Sequence, residues 1–483
     1  MRVTRSLFGT ACATLLLSGC MVGPKYVKPA VPTAPSYKEA PVAYKEEGAW
    51  RTAQPADALP KGEWWTLFQD GDLNTLEPQI LTSNQNVRIA DANLQRARAQ
   101  IRVNRSNLYP TIGVAPFAGA ERYSANRPYF NASSANNGIG DVQVPFDVSW
   151  EIDLFGRIRR TINASREEAQ ASAADYQNVL LSLQAELAVD YFELRAADAE
   201  RKLLNDTVAQ YQEALRVTNN RFEGGVSAKS DVTQAQTQLQ AAKVQAEDVD
   251  VRRAEYEHAI AVLLGRPPAV FALPAAPLQA QPPVVPPGLP SELLERRPDI
   301  AAAERRTAEA NEQIGIARTA YFPSLALSGL VGFEGTSAAN VLNKSSFIYA
   351  LGPTLGQTFF DAGRRGAISE QAYASYNSQT ASYRQTTLTA YQQVEDNLAM
   401  LRILADEAEQ QRQATAAAQE SEQIFNNRYV GGVDTYLQVI TAQTAALTNE
   451  RNDIDIMRRR MDASVLLIKA LGGGWTVSQL PKY

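Results

Sequence analysis

The 483-residue chain is 45% hydrophobic and 20% charged, a balance that belongs to a folded protein of two or three domains and excludes a disordered or collagen-like chain. Its 47 basic and 52 acidic residues give a net charge of −5, leaving no positive surplus to hold nucleic-acid phosphates. One histidine, His258, and two cysteines, Cys12 and Cys20, are too few for zinc clusters, thiol redox pairs or a disulfide framework.

Arg2 and Arg5 precede a short apolar run at 7–17, the pattern of a signal peptide over 1–19 and too short to span a bilayer. The junction Leu17-Ser18-Gly19-Cys20 resembles a bacterial lipobox, in which the cysteine thiol receives lipid and becomes the first residue of the mature chain. The alternative is an ordinary secretory signal with a chance cysteine. Cleavage before Cys20 removes Cys12 and two arginines, taking the formal charge from −5 to −7. The lipid expected on Cys20 is an S-diacylglycerol with an N-acyl chain, and no other cofactor is expected. By resemblance to lipoprotein sorting, Met21 after the cysteine favours the outer membrane. Beyond the signal no run of 18 or more apolar residues occurs, so any membrane crossing falls to β-strands.

Seven of the 25 prolines fall in 21–60 and nine in 267–290, which marks these stretches as linkers. The organisation is then a Pro-rich tail 20–62, a first repeat 63–266, a linker 267–290, a second repeat 291–473 and a tail 474–483. The repeats share their words in order. Gln100-Ile101 and Tyr109-Pro110 answer Gln313-Ile314 and Phe322-Pro323 at an offset of 213. Gly156-Arg157, the run from Asn219 to Val226, and Leu264-Gly265 answer Gly363-Arg364, the run from Asn426 to Val433, and Leu471-Gly472 at an offset of 207.

Each repeat opens with a helical segment, 84–108 and 298–321, ended by proline. Two strand segments follow in each: about 111–122 and 141–154, then about 324–334 and 347–359. In 141–154 the even positions run Val142, Val144, Phe146, Val148, Trp150, Ile152 and Leu154 against polar odd positions, broken only by Pro145. Phe347, Tyr349, Leu351 and Leu355 form the matching face of the last strand. Segments of this length suit an outer-membrane sheet, and a soluble sandwich is the competing reading. Four strands cannot close, and open edges inside lipid leave amides unpaired at several kcal/mol each. Two chains would supply eight strands plugged by side chains; three would supply twelve and leave a lumen.

The remainder of each repeat is Ala- and Gln-rich and nearly free of proline: 158–223 and 226–264, then 365–430 and 433–471. A helix of about 65 residues would reach roughly 100 Å. Leu180, Leu183, Leu187, Tyr191 and Leu194 recur at packing intervals, as do Tyr391, Val394, Leu398 and Leu401. Gly224-Gly225 and Gly431-Gly432 stop the long helices and turn the chain back, so each repeat carries a hairpin with a tip, about 221–230 and 428–437.

These residues resemble the TolC-like outer membrane efflux proteins, and among them the lipidated OprM/NodT branch. The resemblance is carried by the run from Leu293 to Ile300, by Gln313-Ile314 to Pro323, by Asp153-Leu154-Phe155-Gly156-Arg157 and Phe360-Asp361-Ala362-Gly363-Arg364, and by both glycine tips. It implies an α+β membrane protein: a trimeric, twelve-stranded outer-membrane β-barrel with four strands per chain, continued by a long periplasmic α-helical barrel. An inner-membrane RND-type pump and a periplasmic membrane-fusion adaptor would feed this passive duct, with outer-membrane lipid around it and no nucleic acid. Adaptor contacts map onto Arg221, Gly225 and Ser230 in the first tip and Arg428, Gly432 and Val433 in the second, where Leu437 replaces Ser230. The periplasmic constriction maps onto Val430 and Asp434, with Arg428 beside them. A C-terminal charge complementing its own helix dipole is the plainer role for the arginines, and an N-cap the plainer role for Asp434. A duct for polypeptide secretion and a lipid-anchored coiled-coil scaffold without a pore are the competing functions. Catalysis is not expected: Glu167-Glu168 and Asp248/Asp250 read as solvated helix faces, and His258 lacks a partner at useful spacing.

Overall fold

The computed structural model describes residues 21–39, 62–122, 124, 139–285 and 290–483. The signal 1–19, Cys20 and residues 40–61 of the tail lie outside the described residues. The helices are α1 (Gly71–Ser83), α2 (Gln85–Ser106), α3 (Arg157–Glu223), α4 (Lys229–Leu263), α5 (Pro298–Thr319), α6 (Arg364–Val430) and α7 (Tyr436–Ala470). The strands are β1 (Thr111–Val114), β2 (Phe117–Glu121), β3 (Ile139–Ile152), β4 (Ser324–Gly335) and β5 (Phe347–Gly356). Both strands and helices thus recur in each repeat, giving an α+β chain. None of these helices is long and apolar enough to cross a membrane.

The sheet is antiparallel in the order β1-β3-β4-β5, with β2 beside β3. The expected strand 111–122 occurs as two ladder pieces on one register, Thr111 opposing Ser149 and Phe117 opposing Gln143. Ala115-Pro116 separates them, because proline has no amide hydrogen to give the ladder. Register then sets one face: Ile112 opposes Val148, Phe146 opposes Val331, and Val331 opposes Tyr349. Trp150-Leu327-Pro353 and Ile152-Leu325-Leu355 continue the same face. On the other face stand Asp147, Ser149, Glu151, Ser328 and Thr354. The apolar face has no cover among the described residues, with Tyr349 74% and Leu351 73% exposed. Aromatic residues bound it at both ends. Phe333, Phe347 and Tyr349 cluster at the far end, while Tyr109, Phe155, Tyr321, Phe322, Phe359 and Phe360 gather where strands meet helices.

At 67 residues each, α3 and α6 span about 100 Å. Above their middle the packing order is α2-α3-α5-α6; below it, α4-α3-α7-α6. Both start where an acidic word, Asp153-Leu154-Phe155-Gly156-Arg157 or Asp361-Ala362-Gly363-Arg364, places a carboxylate against free helix amides. Asp153 accepts from the Ile158 and Arg159 amides at 3.1 and 3.0 Å, and Asp361 from those of Gly363 and Arg365 at 3.2 Å each. Left-handed glycines recur in register across the repeat, Gly156 with Gly363 and Gly225 with Gly432. Of the four helices of the two hairpins, α3 and α6 begin one residue before the expected 158 and 365, and α4 and α7 three residues after the expected 226 and 433.

A belt at mid-height has no counterpart in the sequence reading. There the 3-10 turn Trp64–Phe68 and α1 pack Trp64, Phe68, Leu73 and Ile80 against Leu187, Tyr191, Phe192, Leu264 and Ile468. Each such side chain contributes about 1.5–3 kcal/mol by burial. Pro78 inside α1 hides that helix from a propensity reading. The helix nevertheless begins with Asp70 accepting from the Leu73 amide, and Tyr191 donates to the same carboxylate at 2.7 Å. The stretches expected to be linkers are docked onto the belt. Arg195 donates to the Pro274 carbonyl, Asp198 accepts from the Ala276 amide, and Arg253 donates to the Leu273 carbonyl and to Asp198. Arg297 forks onto Asp299 and donates to the Ala470 carbonyl at 3.0 Å, which explains the Arg-Pro-Asp word as a clamp on the end of α7. Residues 21–39 form a strap that runs from Phe155 down the wall. Gly23 passes so close to Gly315 that a side chain on Gly23 would collide with it, a side chain on Gly315 would meet Arg160, and Tyr37 enters the belt core.

Glu77 in α1 is wholly buried, and neither carboxylate oxygen has a hydrogen-bond partner among the described residues. Desolvation raises its pKa well above the usual carboxylate range, so the folded protein holds it neutral while the unfolded chain ionises near pH 4.3. Stability is therefore full below that pH and is lost as pH rises. Glu77→Gln is expected to raise the melting temperature by several degrees at pH 8 and scarcely at pH 4.5, as followed by circular dichroism.

Candidate functional site: the hairpin tips

Each tip closes in the same way. The Val226 amide donates to the Arg221 carbonyl and that of Gly225 to Phe222, while Val433 donates to Arg428 and Gly432 to Tyr429, all at 2.8–3.0 Å. This pattern needs a residue at positive φ, supplied by Gly225 at 72° and Gly432 at 76°. The backbones are thus equivalent, and the side chains are not.

Asp434 occupies the place of Ser227 in the first tip. Arg428 grips it within its own hairpin, at 2.5 Å from Nε. Asp434 is not an N-cap: α7 starts after Thr435, whose side chain makes no cap bond. With no carboxylate opposite it, Arg221 reaches across to the other hairpin. It donates to the carbonyls of Tyr429 and Val430 at 2.7 and 3.1 Å and stacks over the Tyr429 ring at 4.7 Å. The charge expected to complement its own helix end therefore caps the end of α6. Tyr429 also reaches the Thr218 hydroxyl, and Gln238 donates to Thr444 at 2.9 Å, so several bonds join the hairpins. Higher up they diverge around a cavity of about 370 Å³, beside which Glu200 accepts from Arg252 and Arg451, both at 2.6 Å.

Exposed apolar groups concentrate at the tips: Val226, Val430, Val433 and Leu437 are all more than half exposed, with Phe222 beside them. Ser230, also exposed, lies in the first turn of α4, level with Leu437 in α7. The structure thus brings Arg221 together with Val430, and Arg428 with Asp434, and places Gly225, Ser230, Gly432 and Val433 on the surface around them. What the sequence reading missed is the traffic between hairpins. Its one available signal was the mismatch of Ser227 with Asp434 in otherwise matching words. The acidic pairs expected to be solvated are partly tied into the wall, Glu167 to Arg305 at 2.9 Å and Asp250 to Arg201. Burial raises the Glu167 pKa, with Arg305 opposing. No group of His, Cys, Asp or Glu suited to a metal occurs among the described residues.

A sheet with a bare apolar face, set on a wall of helices about 100 Å long that ends in paired tips, has the form of a membrane-seated conduit. The profile of the family described as outer membrane efflux protein matches residues 76–266 and 289–473. The chain is 31% identical over 477 residues to a probable efflux pump outer membrane protein, TtgC, of Pseudomonas putida, covering 98% of this chain and 96% of that one. It is 30% identical over 464 residues to outer membrane protein OprJ of Pseudomonas aeruginosa, covering 95% and 94%. Its structure superposes on the outer-membrane channel OprN with a TM-score of 0.85 at 28% identity, covering 94% of this chain and all of that one. The chain belongs to the outer membrane efflux protein family. It is an outer-membrane component of an efflux system.

Arg221→Ala removes about 1.5–3 kcal/mol of charged hydrogen bonding between the hairpins. Spin labels at Ser230 and Leu437 should then show a longer and broader distance distribution by pulsed electron resonance. Arg428→Ala, which breaks a bond within one hairpin, should leave that distance unchanged.

Proposed function

We propose that three copies of this chain close into one passive exit duct of an RND-type tripartite efflux system. The observation that carries this reading is the sheet itself. Both of its edges, β1/β2 and β5, lack a partner strand among the described residues, and its apolar face is bare of them. The helical wall ends at the same two sides: α2 and α4 lie on the β1 side, α6 on the β5 side. One continuous seam can therefore join the β5/α6 side of one copy to the β1/α2/α4 side of the next, a head-to-tail contact that closes by rotation. Twelve strands leave a lumen where eight would be plugged. Asp147, Ser149, Glu151, Ser328 and Thr354 then line the interior, and the apolar face meets lipid.

The strap supports lipidation of Cys20. The Val22 amide donates to the Phe155 carbonyl and Met21 packs over Gly156, so the chain at Met21 stands at the strand–helix junction, level with the aromatic band. An S-diacylglycerol and N-acyl group attached there would enter the periplasmic leaflet, anchoring a protein of the bacterial outer membrane that extends into the periplasm. The tips then lie at the far end. Val430 and Asp434 form the constriction. Three Asp434 carboxylates near one axis repel unless compensated, and Arg428 supplies that compensation within each chain. Opening requires the hairpins to part, which breaks the Arg221 bonds to α6.

The exposed apolar residues of both tips form the docking surface for the periplasmic adaptor, which links the duct to the inner-membrane pump. Gly225→Trp places a bulky side chain where only open space surrounds the glycine, and forces it into a strained backbone. Cells carrying it should lose adaptor crosslinking at the tip and become several-fold more drug-sensitive with the protein still in the outer membrane. Normal crosslinking and resistance would remove the docking role.

A further inference from the structure

The strap and the C-terminal tail mark one side of the helical wall. A chain of polar contacts joins them: Tyr26 donates to Glu304, Arg305 bonds Glu304 and Gln170, and Gln170 donates to the Pro481 carbonyl. Two residues further along that tail, Tyr483 accepts from Arg98 of α2 at 2.8 Å. Arg102 and Arg105 follow Arg98 at steps of four and three residues, so they share its face of α2 and rise from it towards the sheet. On α5, Asn311 donates to the strap carbonyl of Pro24 and Gly315 touches Gly23. Arg318 lies seven and three residues beyond these and so shares their face. It stands over the Tyr373 ring at 5.5 Å and donates to that hydroxyl.

All three arginines are exposed, and none forms an ion pair among the described residues. Arg105 precedes Tyr109 by four residues and Arg318 precedes Tyr321 by three, about 5–6 Å of helix from the aromatic band; Arg102 lies about one turn deeper. The carboxylates near this level are mostly spent: Glu151 on Arg157, Asp153 on Arg159, Glu312 on Arg160 and Asp361 on Arg365. Only Glu370 on α6 stands at this height without an ion pair among the described residues. Structural ion pairs thus absorb the acids and leave a net positive rim on the strap side. A chain with a net charge of −5 keeps that rim directly below exposed aromatic side chains, Phe359 at 91% and Phe360 at 87%.

We propose that Arg102, Arg105 and Arg318 form a collar that binds the phosphodiester headgroups of anionic glycerophospholipids in the periplasmic leaflet. This rests on the reading that the sheet spans the outer membrane with the strap side facing out. Guanidinium forks recognise phosphate oxygens in pairs, while the aromatic band seats the glycerol and upper acyl region. Three arginines from each of three chains surround the duct with nine cations. They hold the duct at a fixed height in the leaflet, in line with the acyl chains on Cys20.

The test uses the purified full-length lipoprotein in mild detergent, mixed with phosphatidylglycerol or phosphatidylcholine, with retained lipid counted by native mass spectrometry. Wild type should retain phosphatidylglycerol several-fold over phosphatidylcholine. R102Q/R105Q/R318Q should lose that preference with its subunit number unchanged, and R102K/R105K/R318K should keep much of it. Arg216→Gln near the tip should behave as wild type. Undiminished preference in the triple Gln variant overturns the collar. Dissociation of that variant into single chains also overturns it, because the arginines would then be subunit contacts. Failure of the wild type to float with phospholipid vesicles would instead remove the membrane reading on which the collar stands.

Discussion

Main-chain amides that find no partner among the described residues at the two edges of the sheet are the constraint on which the rest of this structure depends. A strand edge in water is hydrated, but one in hydrocarbon leaves each N–H and C=O short by several kcal/mol. The apolar face shows that hydrocarbon is where this sheet belongs, and four strand lines from one chain cannot bend round to meet. The edges therefore require other copies. Because the helices end on the same two sides as the strands, the contact that satisfies the sheet also continues down the wall. One seam accounts for both the membrane part and the long helical part.

Duplication explains the framework, and divergence between the repeats explains how it is fastened. Equivalent backbone turns at Gly225 and Gly432, and equivalent carboxylate caps at Asp153 and Asp361, show that geometry is shared. At the tips one exchange redirects a cation. Asp434 retains Arg428 inside the second hairpin, whereas Ser227 cannot retain Arg221, which turns to the neighbouring carbonyls. A perfectly symmetric pair of hairpins would lack this cross-link. The second divergence is at mid-height, where the first repeat carries the turn at Trp64–Phe68 and the 13-residue α1, and the second has, among the described residues, only short helical turns at Pro290–Glu292 and Leu293–Arg296 before α5.

Much of the fold was legible because long-range order here rests on local patterns. Alternation in 141–154 announced β3 and its buried-in-lipid face, and the proline-free Ala/Gln runs announced α3 and α6 to within a residue or two. What stayed hidden obeyed rules that a single segment does not display. Pro78 concealed α1, since its helix is held by burial of Leu73, Leu76 and Ile80 rather than by propensity. Pro-rich stretches read as linkers because proline composition says nothing of the Arg195, Asp198 and Arg253 contacts that fix 273–276. The Arg-Pro-Asp word and the acidic Gly-Arg words at Asp153 and Asp361 were recognised as signatures, yet their physical work, clamping helix ends, is visible only in three dimensions. At the tips the sequence set Arg428 beside Asp434, but nothing in one segment shows that Arg221 crosses to the other hairpin.

The native mass of the lipidated protein, extracted from outer membrane in gentle detergent, tests the central claim most directly. Closure of the sheet between copies predicts a particle of three mature chains. A single chain that survives gentle extraction as a stable, folded species would leave both edges open and contradict the account.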